Sequence, residues 1–137
     1  MPAPRATRFE PAAYAALRIV SGGLFAFHGV QKILGWVATK APPAGGSQLW
    51  IGGVIELIGG VLIALGVFTV HSAFLCSGTM AVAYTQFHWK LSFGKEFFPG
   101  VNKGELALLY SVLFLFFACK GSGPFSVDVL REKKNGA

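Results

Sequence analysis

Residues 49–67 read LWIGGVIELIGGVLIALGV, an apolar run with a single formal charge, at Glu56. About 20 predominantly apolar residues are what an α-helix needs to cross the hydrocarbon core of a bilayer. Three more blocks share that character. Residues 12–34 carry Arg18 near the middle and a polar end at His28, Gln31 and Lys32, and residues 72–89 carry no formal charge. The last block, Leu106–Cys119, is short. Extending it back to Asn102 places Glu105 in its first turn, where a carboxylate suits the helix dipole, and leaves Lys120 to snorkel at the far end. Arg5 and Arg8 precede the first block as in a signal peptide. Glu10 and Arg18 interrupt that run, however, and no small-residue cleavage site follows, so it is read as a retained span. The expectation is an all-α chain forming a four-transmembrane-helix bundle, one domain over residues 1–137, with spans at about 12–34, 49–67, 72–89 and 102–119.

Composition excludes the soluble alternative. Hydrophobic residues make up 53% of the chain and charged ones 13%. The charged share is about 25% in soluble domains, and a small soluble domain has too much surface to cover with so few charges. The net charge of +6 could indicate nucleic acid, but the basic residues lie between apolar blocks and at the ends. That is a juxtamembrane pattern, so the lipid bilayer is the expected partner and nucleic acid is excluded. Cys76 and Cys119 sit inside apolar blocks without CxxC spacing and are read as small buried hydrophobes.

Between the blocks lie loop signals: ATKAPPAGGSQ (38–48), the Lys- and Phe-bearing HWKLSFGKEFFPGVNKG (88–104), suited to the headgroup region, and a tight uncharged turn around Phe68–His71. An even number of spans puts both termini on one side. That side holds seven basic residues (Arg5, Arg8, Arg18, Lys120, Arg131, Lys133, Lys134) against five (Lys32, Lys40, Lys90, Lys95, Lys103), which predicts cytoplasmic termini. Trp36, Trp50 and Trp89 then gather at the other interface as an aromatic belt. Gly52, Gly59 and Gly66, with Gly53 and Gly60 alongside, are read as one stripe that lets a neighbouring helix approach, and Gly22, Gly23 and Gly29 as a similar face on the first span.

The informative residues are the polar ones within these spans. At 1.5 Å per residue, His28 lies about 9 Å below the interface and Glu56 about 10 Å below the same one. An ionisable group in hydrocarbon costs about 2.5–3.5 kcal/mol on insertion scales, so Glu56 should face inward, either protonated or paired with His28 or Lys32. Gln31 shares the face of His28, and Lys32 is its neighbour at i+4. His88 and Glu105 fall nearer the surface. The functional reading is a site lined by His28, Gln31, Glu56, His88 and Glu105; the alternative is a structural network joining the helices. Arg18 has no partner within helical reach and is expected to snorkel to headgroups.

Three stretches, RIVSGGLFAFHGVQKILG (18–35), GGVIELIGGVLIALGVFT (52–69) and NKGELALLYSVLFLFFACKGSGPFSVD (102–128), resemble the DoxX family of small bacterial membrane proteins. The most specific piece is HGxQK at His28, Gly29, Gln31 and Lys32. It is joined by Glu56, by Asn102, Gly104 and Glu105 opening the last span, and by a terminal PxSxD at Pro124, Ser126 and Asp128. The resemblance implies a four-helix membrane fold in the bacterial inner membrane and, from some relatives, quinone-linked sulfur oxidation or oxidative-stress complexes. The candidate binding and proton-exchange residues are therefore His28, Gln31, Lys32, Glu56, His88, Asn102 and Glu105, with catalytic roles unassigned and no metal site expected.

The leading expectation is a membrane subunit of an oxidoreductase system. His28 would donate to a quinone carbonyl, Glu56 would exchange protons and Gln31 would support them. No nucleotide fingerprint, flavin motif or cysteine cluster is present, so electrons would come from a partner protein. The alternatives are a non-catalytic scaffold for partner proteins, working through residues 88–104 and the termini, and a small-solute transporter that oligomerises around its pathway. Haem ligation by His28 and His88 is disfavoured by their unequal depth.

Overall fold

The computed structural model describes residues 5–136. Residues 1–4 and Ala137, which the single-domain reading also covers, lie outside the described residues, as do the side chains of Arg5 and Ala6. The described chain is all-helical, with no strand. After a 3-10 turn at Arg5–Phe9, α1 runs Glu10–Leu34, with Pro11 in its first turn, where no N–H is needed. It stops at Gly35, whose φ of 66° lets its N–H return to the Gln31 carbonyl. The Ser47 hydroxyl caps α2 (Gln48–Leu65) by accepting from the Trp50 N–H, and Gly66 ends it at φ 70°. Helix α3 (Thr69–Ala83) continues into a π-helical turn, Tyr84–Trp89. A 3-10 turn (Lys95–Phe97), the one-turn α4 (Pro99–Asn102), α5 (Glu105–Lys120) and α6 (Val127–Asn135) follow. Two helical stretches, Thr7–Leu34 and Gln48–Leu65, are long and apolar enough to cross a membrane. As regular helices, α3 with 15 residues and α5 with 16 fall short of that length.

Cross-helix contacts set the arrangement. A Cβ on Gly22 would lie 2.6 Å from the Ala64 nitrogen, one on Gly60 would strike the Ala26 nitrogen, and one on Gly29 would strike Leu57. As α1 numbers fall α2 numbers rise, so the two run antiparallel at backbone contact. Ser77 bonds the Ser111 carbonyl (2.7 Å), while His88 meets Asn102, so α3 and α5 are antiparallel too. Phe25 packs edge-on to Phe114 (4.7 Å), Tyr14 edge-on to Phe117 (5.5 Å), and Lys120 pairs with Glu10 (2.8 Å), which sets α5 against α1. The glycines of α2 thus divide among neighbours rather than forming one stripe. Gly53 and Gly60 meet α1, Gly59 meets the Cys76 sulfur of α3, Gly52 faces open space and Gly66 is a cap. Two successive residues on a helix point about 100° apart, enough to serve two partners.

The distribution of polarity is inverted. Leu24, Ile58, Phe74, Leu109 and Val112 are exposed, whereas Arg18, Glu56, Ser72, Ser77 and Asn102 are buried. Large apolar side chains outward and ionisable ones inward is the pattern of a protein whose solvent is lipid.

Arg18 corrects the sequence reading. It is fully buried and does not snorkel: Nη1 donates to the carbonyls of Ile63 (2.9 Å) and Ala64 (2.7 Å), and Nη2 to that of Phe125 (2.8 Å). Carbonyls in the last turn of α2 lack the usual i+4 partners, that of Ile63 receiving only the Gly66 cap N–H (3.1 Å), and the dipole at that end favours a cation. The terminal PxSxD segment completes the joint. The Asp128 carboxylate accepts from the N–H groups of Phe68 (3.0 Å) and Thr69 (3.1 Å) and from the Thr69 hydroxyl (3.2 Å), capping α3. Asp128→Ala is expected to lower stability by about 1–2 kcal/mol, the worth of a strong N-cap. The detergent-unfolding midpoint reads this, and an unchanged midpoint would mean that the cap contributes nothing.

Candidate functional site

The antiparallel packing brings the C-terminal ends of α1 and α3 together with the N-terminal ends of α2 and α5. Trp36, Trp50 and Trp89 all lie at this end of the fold. Here α1, α2, α3 and α5 surround a cavity of about 650 Å3. Its walls are mainly apolar, from Phe25, Ile55, Phe74, Met80, Val82 and Leu106, and its polar members are His28, Lys32, Gln48, Glu56, Thr79, His88, Lys103 and Tyr110.

The centre of the site is an ion pair across the α1–α2 seam. Glu56 is 3% exposed, and its Oε1 accepts from Lys32 Nζ at 2.6 Å. Lys32 can reach because Gly53, three residues before Glu56, offers no side chain where the lysine stem crosses: a Cβ there would lie 2.9 Å from Lys32 Cβ. Of the partners left open from the sequence, Lys32 takes the carboxylate; His28 instead stands edge-on to the Tyr110 ring, 6.4 Å between centroids. The second oxygen, Oε2, is buried with no hydrogen-bond partner. A buried acceptor left unmade costs about 1–3 kcal/mol, so an atom of this kind marks a place where something else is meant to donate.

His88 is carried on the π-helical turn, a distortion found often at functional sites. Its Nδ1 lies 3.2 Å from the Asn102 carbonyl oxygen. That contact is a hydrogen bond when Nδ1 carries the proton, and in the neutral ring it leaves Nε2 as an acceptor.

The structure brings His28, Lys32, Glu56 and His88 to one cavity and leaves three other candidates outside its lining. Gln31 donates to the Val37 carbonyl (3.2 Å), holding the turn after α1. Asn102 is buried and spent on the loop: its amide donates to the Glu96 carbonyl (2.9 Å) and its Oδ1 accepts from the Gly104 N–H (2.8 Å). Glu105 is exposed in the first turn of α5. Sequence reasoning missed Tyr110, Lys103, Gln48 and Thr79. Tyr110 lies in an apolar block of α5 with no charged residue near it to single it out, and the others sit in segments read as loop or uncharged span.

The lining also shows where the cavity opens. Leu49 and Ile51 on α2, and Phe74, Leu75 and Val82 on α3, line it and are also exposed, so the opening faces sideways between these helices. Gln48 and Gln86 hydrogen-bond across it at 2.5 Å. A second cavity of about 300 Å3, almost wholly apolar, continues along the same seam towards Phe68 and shares Ile55 and Leu75 with the first.

An all-helical chain with apolar residues outward, charges inward and a side-opening, mainly apolar cavity is a membrane protein. The family model for DoxX matches residues 13–89. A protein of Haemophilus influenzae described as uncharacterized is 41% identical over 124 residues, covering 88% of this chain and 92% of its own length. No solved structure matches. The chain belongs to the DoxX family. The matched residues hold His28, Lys32, Glu56 and His88; α5 and Tyr110 lie beyond them.

Proposed function

We propose that this DoxX protein is a four-span membrane subunit of an oxidoreductase system, seated in the bacterial inner membrane with cytoplasmic termini, and that its cavity takes a quinone. The observation that carries the reading is Glu56: a buried, ion-paired carboxylate with one oxygen free, on the wall of an apolar cavity open towards lipid. The volume fits a small-molecule site, which spans about 300–1,000 Å3. The seam between α2 and α3 admits a ligand from the bilayer, and the second cavity offers an apolar track for its tail. A quinone supplies two-electron, two-proton redox chemistry when bound, with the electrons exchanged through a partner protein. The chain's own residues bind and orient. Lys32 holds Glu56 in place, Glu56 Oε2 accepts or returns a proton, and His28 and Tyr110 close the wall opposite.

The protein purified in mild detergent is expected to carry near-stoichiometric quinone, and Glu56→Gln to have lost most of it. Trace amounts equal in both would remove this reading and favour a non-catalytic scaffold for partner proteins.

A further inference from the structure

Resting on that reading, we infer that the cavity is built for the hydroxyl-bearing, reduced form of its ligand, a hydroquinone, in preference to the quinone. The argument is one of donors and acceptors. A quinone presents two carbonyl oxygens and can only accept; a hydroquinone presents two O–H groups and can donate. The one cavity-wall atom left buried and unpartnered among the described residues is Glu56 Oε2, an acceptor. Lys32 Nζ spends one of its three N–H groups on Oε1 at 2.6 Å and makes no bond to Oε2. In the neutral ring His88 adds a second acceptor, since an Nδ1 proton engaged by the Asn102 carbonyl leaves the lone pair on Nε2. A carbonyl oxygen placed beside Oε2 would meet like partial charge and leave Oε2 unsatisfied. A hydroxyl placed there satisfies Oε2 with a charge-assisted bond, about twice as strong as a neutral one.

The expected consequence is binding of the reduced form about tenfold tighter than the oxidised form, the worth of one such buried acceptor. The test is anaerobic equilibrium binding to the wild-type protein in detergent, using decyl-benzoquinone, its reduced benzoquinol and the dimethyl ether of that benzoquinol. Tight binding of the benzoquinol, with both other compounds weak, supports the inference. Equal affinity for the oxidised and reduced forms overturns it while leaving a quinone site in place. An ether as tight as the benzoquinol overturns it as well, because the donated proton would then contribute nothing. Failure of all three to bind overturns both the inference and the reading on which it rests. In Glu56→Gln the charge-assisted acceptor is gone, so affinity for the benzoquinol is expected to fall to that of the oxidised form and the ratio towards one. If that variant does not fold, the three-ligand comparison on the wild type still decides.

Discussion

Gly60→Ala is expected to separate α1 from α2. A methyl group at this position meets backbone on both sides, striking the Ala26 nitrogen and lying 2.6 Å from the Gly22 carbonyl oxygen. Backbone atoms cannot turn aside as a side chain would, so the helices must move apart. Lost contact then spreads along the seam, through Gly22 against Ala64 and Gly29 against Leu57. Overpacking of a tight interface costs about 1–3 kcal/mol and occasionally more, and with contacts of this closeness the upper end or beyond is expected. Gly52→Ala is the control. It lies on the same helix with nothing within 4 Å of the added carbon, and alanine in a helix gains about 1 kcal/mol over glycine. Unfolding midpoints in mixed micelles should therefore move in opposite directions for the two variants. Equal shifts would mean that backbone proximity at Gly60 does not hold the pair together.

Arg18→Met is expected to be the second large loss. The change keeps an unbranched apolar stem but strips the guanidinium from the carbonyls of Ala64 and Phe125, and from that of Ile63, which keeps only the Gly66 N–H. At about 1–3 kcal/mol for each buried group left unsatisfied, and with partial relaxation, the loss should be about 3–5 kcal/mol. Arg18→Lys should fall between, because a single ammonium keeps the charge but cannot fork to α2 and to Phe125 at once. A methionine variant as stable as the wild type would show that the guanidinium contributes nothing net in its buried position.

These two positions also mark what the sequence disclosed. The all-helical character was legible because long apolar blocks alternate with loop signals along the chain, and α1 ends at Leu34, where its apolar run ends. Glu56 was legible as an inward carboxylate on cost alone, and Lys32 was one of its two named partners. What was hidden depends on facing. The glycine periodicity gave the residues that permit close approach but not which neighbour each receives. The partners of Arg18 are backbone carbonyls, which no side-chain pattern can show, so headgroups stood in for them. His88 and Asn102 were both candidates, yet the backbone carbonyl of one orients the other, and the Asn102 side chain is used up in its own loop.

The joint at Arg18 has a bearing on how the molecule is made. Its third acceptor, the Phe125 carbonyl, lies 107 residues further along the chain. The Asp128 carboxylate that pins the α2–α3 turn comes from the same late segment. During synthesis, then, the first two helices reach the bilayer with a guanidinium that is only partly answered. The turn that follows them takes its Asp128 cap from that late segment alone. The segment around Phe125 and Asp128 thus works as a latch on helices that precede it by many residues.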